Sequence, residues 1–109
     1  MEKFSELFRK LIPGLTEIFH DIDLKIVLYG SVARGDDCEE SDIDIAVIIS
    51  SYTPEMQDKM WDLIVDMELE YNRVLSVILI DSKKFADWED IMPFYKNVKK
   101  DGIVLWPAA

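Results

Sequence analysis

The chain has 109 residues, half of them apolar and 11% aromatic, enough to bury one modest core and unlike the composition of a disordered segment. Its one cysteine, Cys38, excludes an internal disulfide and a multi-cysteine zinc site. Twelve Lys and Arg against 22 Asp and Glu leave a net charge of −10, which denies it the bulk basic footprint of a sequence-independent duplex binder. Apolar runs such as Val77–Ile80 are too short to span a bilayer, and Glu2, Lys3, Glu6, Arg9 and Lys10 leave no signal-peptide core. With Met at position 1, the expectation is a complete cytoplasmic protein with a single domain over residues 1–109, no direct nucleic-acid binding and no membrane partner.

In chain order, residues 3–20 predict a helix, with Phe4, Leu7, Phe8 and Leu11 at helical spacing. Pro13-Gly14 interrupts the run and suggests two pieces. Leu15, Ile18 and Phe19 resume the stripe, and His20 closes it at the negative helix end. Residues 24–30 predict a buried strand ending at Gly30. Residues 43–50 predict a second strand, apolar on both faces after Asp44 and therefore central. Thr53-Pro54 opens a helix whose buried face is Met56, Met60, Leu63, Ile64, Met67 and Tyr71, with Asp58, Asp62 and Asp66 on another face. Residues 74–80 predict a third strand, and Ser82 is the expected cap of a short helix through Trp88. Residues 91–101 predict a last helix, stopped by Gly102, with an extended IVLW tail packing back. The fold class is α/β (α+β), with helices packed on a small mixed sheet.

The chemistry concentrates between Leu28 and Val47. Asp36, Asp37, Glu39, Glu40, Asp42 and Asp44 fall within nine residues. Asp42 and Asp44 are two apart on an extended chain, so their carboxylates share one face while Ile43 and Ile45 point to the other. Two adjacent carboxylates repel unless a cation or a proton sits between them. This pattern suits Mg²⁺ or Mn²⁺, with positions left for phosphate and water. Gly30-Ser31 directly follows the first strand. The glycine allows a ligand close to the backbone, Ser31 offers a hydroxyl, and a short helix starting here would turn its N–H groups toward an anion. Arg34 has two readings, a phosphate neutraliser or the partner of a neighbouring acid.

Gly30-Ser31, then ten residues, then Asp42-Ile43-Asp44 resembles the signature of the nucleotidyltransferase superfamily that includes DNA polymerase beta. The longer form, Tyr29-Gly30-Ser31-x-Ala33-Arg34-Gly35 with Ser41-Asp42-Ile43-Asp44, is similar to the minimal nucleotidyltransferases of prokaryotes over most of the chain. The resemblance implies a palm-like fold and transfer of a nucleoside monophosphate, AMP from ATP, to a hydroxyl. It makes Asp42 and Asp44 the catalytic metal ligands. It assigns Gly30, Ser31, Arg34 and Ser41 to nucleotide binding, with Ser41 fixing the loop before the carboxylates. It also implies a partner: a small helical HEPN-type RNase toxin, to which this chain would be the antitoxin.

One departure stands out. Active members of the superfamily carry a third carboxylate on the next core strand, where this chain has Ser76. Asp81 lies five residues on, an odd step that turns it to the other face unless a bulge intervenes. A weakly active enzyme and a binding-only antitoxin or regulatory subunit both remain open on this evidence. An EF-hand-like calcium loop does not fit, because residues 36–44 lack its spacing and glycine.

Other residues invite plainer readings. Cys38 sits among acids that raise a thiol's pKa, and Tyr29 reads as structural. Trp61, Trp88 and Trp106 read as packing or interface residues. Phe94 and Tyr95 with Lys96, Lys99 and Lys100 read as a solvated helix face.

Overall fold

A computed structural model describes residues 4–36, 38 and 41–107. Asp37, Glu39 and Glu40 of the acidic run, and the first residue of the predicted 3–20 helix, lie outside the described residues. The elements are α1 (Ser5–Ile18), β1 (Leu24–Tyr29), α2 (Gly30–Arg34), β2 (Ile43–Ile49), α3 (Pro54–Tyr71), β3 (Leu75–Asp81), α4 (Ser82–Trp88), α5 (Pro93–Asp101) and β4 (Ile103–Trp106). The four strands form one mixed sheet in the order β3-β2-β1-β4. β1 runs antiparallel to β2 and β4, while β2 and β3 are parallel and joined through α3. The extended tail expected after Gly102 is thus the edge strand β4. Among the described residues, no helix is long and apolar enough to cross a membrane.

The period of two along each strand sorts the core into layers. Ile26 and Leu28 of β1, Ile43, Ile45, Val47 and Ile49 of β2, and Leu75 and Val77 of β3 pack against α1 and α3. Val27, Ala46, Ile48 and Ile80 face the other way, against Phe85 of α4 and Val98 of α5. β2 is therefore buried on both faces, as its apolar run requires. Met60, Ile64 and Met67 of α3 enter the first layer, with Met56, Leu63 and Tyr71 at its margin. Thr53 caps α3 by accepting from the Met56 N–H at 3.2 Å.

Two local expectations are corrected. α1 is one helix, with Pro13 inside it. An internal proline costs about 3 kcal/mol, but Leu11 and Leu15 on either side are fully buried, each contributing about 1.5–3 kcal/mol. Gly14 is a packing point and not a break: a Cβ there would come within 2.7 Å of Leu63 Cδ2 on α3. The cap of α4 is Asp81 and not Ser82, since the Asp81 carboxylate accepts from the Lys83 and Lys84 N–H groups at 2.8 and 3.1 Å. On α5, Phe94, Lys96, Lys99 and Lys100 are exposed, as expected of a solvated face, and Tyr95 is half-buried. The Phe94 and Tyr95 rings also make edge contacts with Tyr29 and Phe85, at centroid distances of 5.7 and 5.9 Å. His20 does close α1, its Nδ1–H donating to the Glu17 carbonyl at 2.9 Å.

The α1–α3 contact gives a direct test. Gly14→Val is expected to lower unfolding free energy by about 1–3 kcal/mol through overpacking, measured by urea denaturation. Combined with Leu63→Ala, it should cost less than the two single changes added together.

Candidate functional site

The strand registers assemble the two halves of the motif. Antiparallel pairing sets Tyr29, the last residue of β1, opposite Asp44. Parallel pairing sets Ser76 of β3 on the other side of Asp44. Gly30 then turns the chain out of β1 into α2 with φ +78. A Cβ at Gly30 would lie 2.2 Å from Asp44 Oδ2. The glycine thus answers two demands at once: a left-handed backbone and a carboxylate resting against it. Among the described residues, no side chain caps the start of α2.

Asp42 is exposed just before β2, and Asp44 is half-buried on the same side of the sheet as Tyr29. Burial pushes the Asp44 carboxyl above the usual carboxylate range, and the neighbouring charge of Asp42 adds to the rise. The Arg34 guanidinium and the Ser76 hydroxyl pull in the opposite direction. Burial, then Asp44, raises the Tyr29 phenol above its ordinary value. Among the described residues, no group of three or more His, Cys, Asp or Glu is gathered for a metal. Among the described residues, Asp42 and Asp44 offer a pair of carboxylates at the site. A hard divalent cation that keeps water and phosphate ligands suits such a pair, and its charge would relieve the crowding at Asp44.

Arg34 takes up neighbouring acids, as one of its two readings foresaw. Its Nε donates to Asp36 Oδ2 at 3.3 Å, and its Nη1 lies 3.9 Å from Asp101 Oδ2 on α5. Ser41 organises the segment before Asp42: its hydroxyl accepts from the Cys38 N–H at 2.9 Å, and its own N–H donates to the Cys38 carbonyl at 3.0 Å. Asp81 is not part of this site. The β2–β3 register runs without a shift from Ile43↔Leu75 to Ile49↔Asp81, which puts Asp81 at the far end of the strand, capping α4. Two contributors escaped the sequence reading. Arg73 donates to the Ser41 carbonyl at 2.6 Å, and Asp101 faces Arg34. Both come from distant parts of the chain, and no local pattern marks them.

The sequence profile of the polymerase beta nucleotidyltransferase family matches residues 15–108. The chain belongs to this family. It is 37% identical over 102 residues to "Putative protein adenylyltransferase MJ0604" of Methanocaldococcus jannaschii, covering 94% of this chain and 97% of that one. A second protein of that organism, "Putative protein adenylyltransferase MJ0141", is 28% identical over 75 residues, 68% of this chain and 76% of its own. Among solved structures, the fold is similar to a toxin–antitoxin MntA-HpeT mutant, with a TM-score of 0.65, 21% identity, and coverage of 93% of this chain and 73% of that one. It is also similar to a toxin–antitoxin structure with AMP-PNP, with a TM-score of 0.62, 25% identity and the same coverage. A third is the tri-AMPylated Shewanella oneidensis HEPN toxin in complex with MNT antitoxin, with a TM-score of 0.61, 20% identity, and coverage of 95% and 72%. The nucleotidyltransferase fold expected from the motif is the fold observed.

The raised pKa of Asp44 has a sign that can be checked. A carboxyl whose pKa is higher folded than unfolded stabilises the fold while protonated, and that contribution is lost as pH rises through the folded value. In metal-free buffer, Asp44→Asn should therefore melt above the unsubstituted protein at pH 7. The gap should close as pH falls below the ordinary carboxylate value of 3.8. Thermal melts with a chelator across pH 3–8 measure it. Gly30→Ala should do the reverse, lowering stability by about 1–3 kcal/mol through a strained backbone and displacing the Asp44 carboxylate.

Proposed function

We propose that this chain is a metal-dependent nucleotidyltransferase that moves AMP from ATP to a hydroxyl of a partner protein. In this reading the partner is a small helical HEPN-type RNase toxin, and this chain is its antitoxin. The observation that carries the reading is the approach of the Asp44 carboxylate to the Gly30 backbone, with Asp42 two residues away. A carboxylate pair beside an open helix start is the arrangement that phosphoryl chemistry uses. Family membership supports the reaction class, and the name of the 37% identical relative supports a protein acceptor. The AMP-PNP structure at 25% identity supports ATP, and the MNT and HEPN complex supports the choice of partner.

In this mechanism Asp42 and Asp44 would hold Mg²⁺ or Mn²⁺. When bound, the cation neutralises triphosphate charge and lowers the pKa of the attacking hydroxyl. Gly30 and Ser31 hold the β- and γ-phosphates through N–H groups and the Ser31 hydroxyl. Arg34 turns from Asp36 toward phosphate, and Ser41 keeps the segment before Asp42 in place. The acceptor oxygen bonds to the α-phosphorus, pyrophosphate leaves with the electron pair of the broken P–O bond, and the hydroxyl proton passes to water. The protein contributes positioning and charge, with no covalent intermediate. The setting is the cytoplasm. A net charge of −10 complements a toxin whose RNA-facing surface is basic.

A second reading has its own observation. Ser76 stands directly beside Asp44, where a third carboxylate would serve catalysis. Neutralisation by binding alone needs no such group. The deciding experiment is transfer of label from α-³²P-ATP with Mg²⁺ to proteins of the source lysate, with a HEPN-type toxin as the expected acceptor. Asp42→Asn and Asp44→Asn should each cut transfer by about 10²-fold or more, the scale of losing one preorganised electrostatic group. Ser76→Asp should raise it. Absence of label, with toxin neutralisation surviving Asp44→Asn, would establish the binding-only reading instead.

A further inference from the structure

Asp42 is exposed and precedes the β2 ladder, yet a metal-binding carboxylate has to be held to within about 0.5 Å. Its two chain neighbours are both tied to the junction between α3 and β3. On one side, Arg73 Nη2 donates to the Ser41 carbonyl at 2.6 Å. On the other, the Ile43 N–H donates to the Val74 carbonyl at 2.9 Å. Asn72 ends α3 in the left-handed conformation, φ 52, and Arg73 follows it directly. The Arg73 guanidinium carbon lies 4.8 Å from the ring centroid of Phe4, so the residue that precedes α1 supplies a cation–π platform for it. Arg73 Nε is buried with no hydrogen-bond partner among the described residues. A buried polar atom left unsatisfied is a cost that calls for an explanation.

We propose that Arg73 is a positioning residue that fixes Asp42 for metal binding by clamping the Ser41 carbonyl against the end of α3. The proposal rests on the reading of Asp42 and Asp44 as the metal ligands. A charged donor bonded to a carbonyl makes a stronger tether than a neutral pair. The contact with Phe4 gives the guanidinium a second anchor besides the Ser41 carbonyl. The Ile43–Val74 bond supplies the second point, and the backbone of Asp42 is spanned from both sides.

The test uses Mn²⁺ with AMP-PNP as probe, free Mn²⁺ being read by electron paramagnetic resonance. Amide exchange at Ser41 and Asp42 is followed in parallel by NMR. Arg73→Met keeps the apolar stem and removes the donor. It should weaken Mn²⁺ binding by about tenfold, the lower end for loss of a group that orients a ligand, and should speed exchange at Ser41. Arg73→Lys, which retains one donor, should recover most of both. Ile64→Val, in the core and away from this segment, should lower the melting temperature and leave Mn²⁺ affinity alone. Should Arg73→Met fail to fold, Phe4→Leu takes its place, with weakening of a few-fold expected from the lost contact. Unchanged Mn²⁺ affinity in Arg73→Met overturns the proposal alone. So does a loss in Ile64→Val that matches it, because the effect would then be one of general stability. A native chain that takes up no Mn²⁺ overturns the metal-site reading and this proposal together.

Discussion

The site depends on one close approach, that of a carboxylate oxygen to a backbone carrying no side chain. The Tyr29↔Asp44 register brings Asp44 alongside the end of β1, and Gly30 leaves the space its carboxylate occupies. A slip of one residue in that register would turn Asp44 into the layer shared with α1 and α3, and would drive Ile43 and Ile45 out of it. The hydrophobic alternation of β2 therefore fixes the carboxylate. Core packing and site geometry are here a single constraint.

Around that contact the charges are set against one another. Burial and Asp42 disfavour a negative Asp44, while Arg34 and Ser76 favour it. Arg34 is itself shared with Asp36 and Asp101, which links α2 to the last turn of α5. On balance the carboxyl of Asp44 is held above the usual carboxylate range.

Much of this was legible in the chain. The strands, the buried face of α3 and the place of Gly30-Ser31 and of Asp42 and Asp44 at the ends of neighbouring strands follow from periodicity and motif spacing, which are local properties. The approach of Asp44 to Gly30 is seen only in the structure. Three features were not legible, for one physical reason. Pro13 stays helical because Leu11 and Leu15 are buried against partners far along the chain. Asp81 caps α4 because β3 ends one residue later than its apolar run. Arg73 reaches Ser41 across 32 positions because the parallel β2–β3 ladder brings the two strand starts together. In each case tertiary contact decides what local propensity leaves undetermined. The place of Ser76 beside Asp44 was legible because strand registers are regular.

The edge strand has a consequence for how the molecule assembles. β4 pairs with Ile26, Val27 and Leu28 and reaches β1 from the other end of the chain, with about 77 residues between Val27 and Val104. Tyr29 and Asp44 are only about 15 apart. Loop-closure entropy grows with the logarithm of that separation, so closing the edge costs about 1.4 kcal/mol more than closing the β1–β2 pair. The register that defines the site is therefore the cheaper of the two closures, and the edge strand the one that depends on the rest of the sheet to bring its ends together.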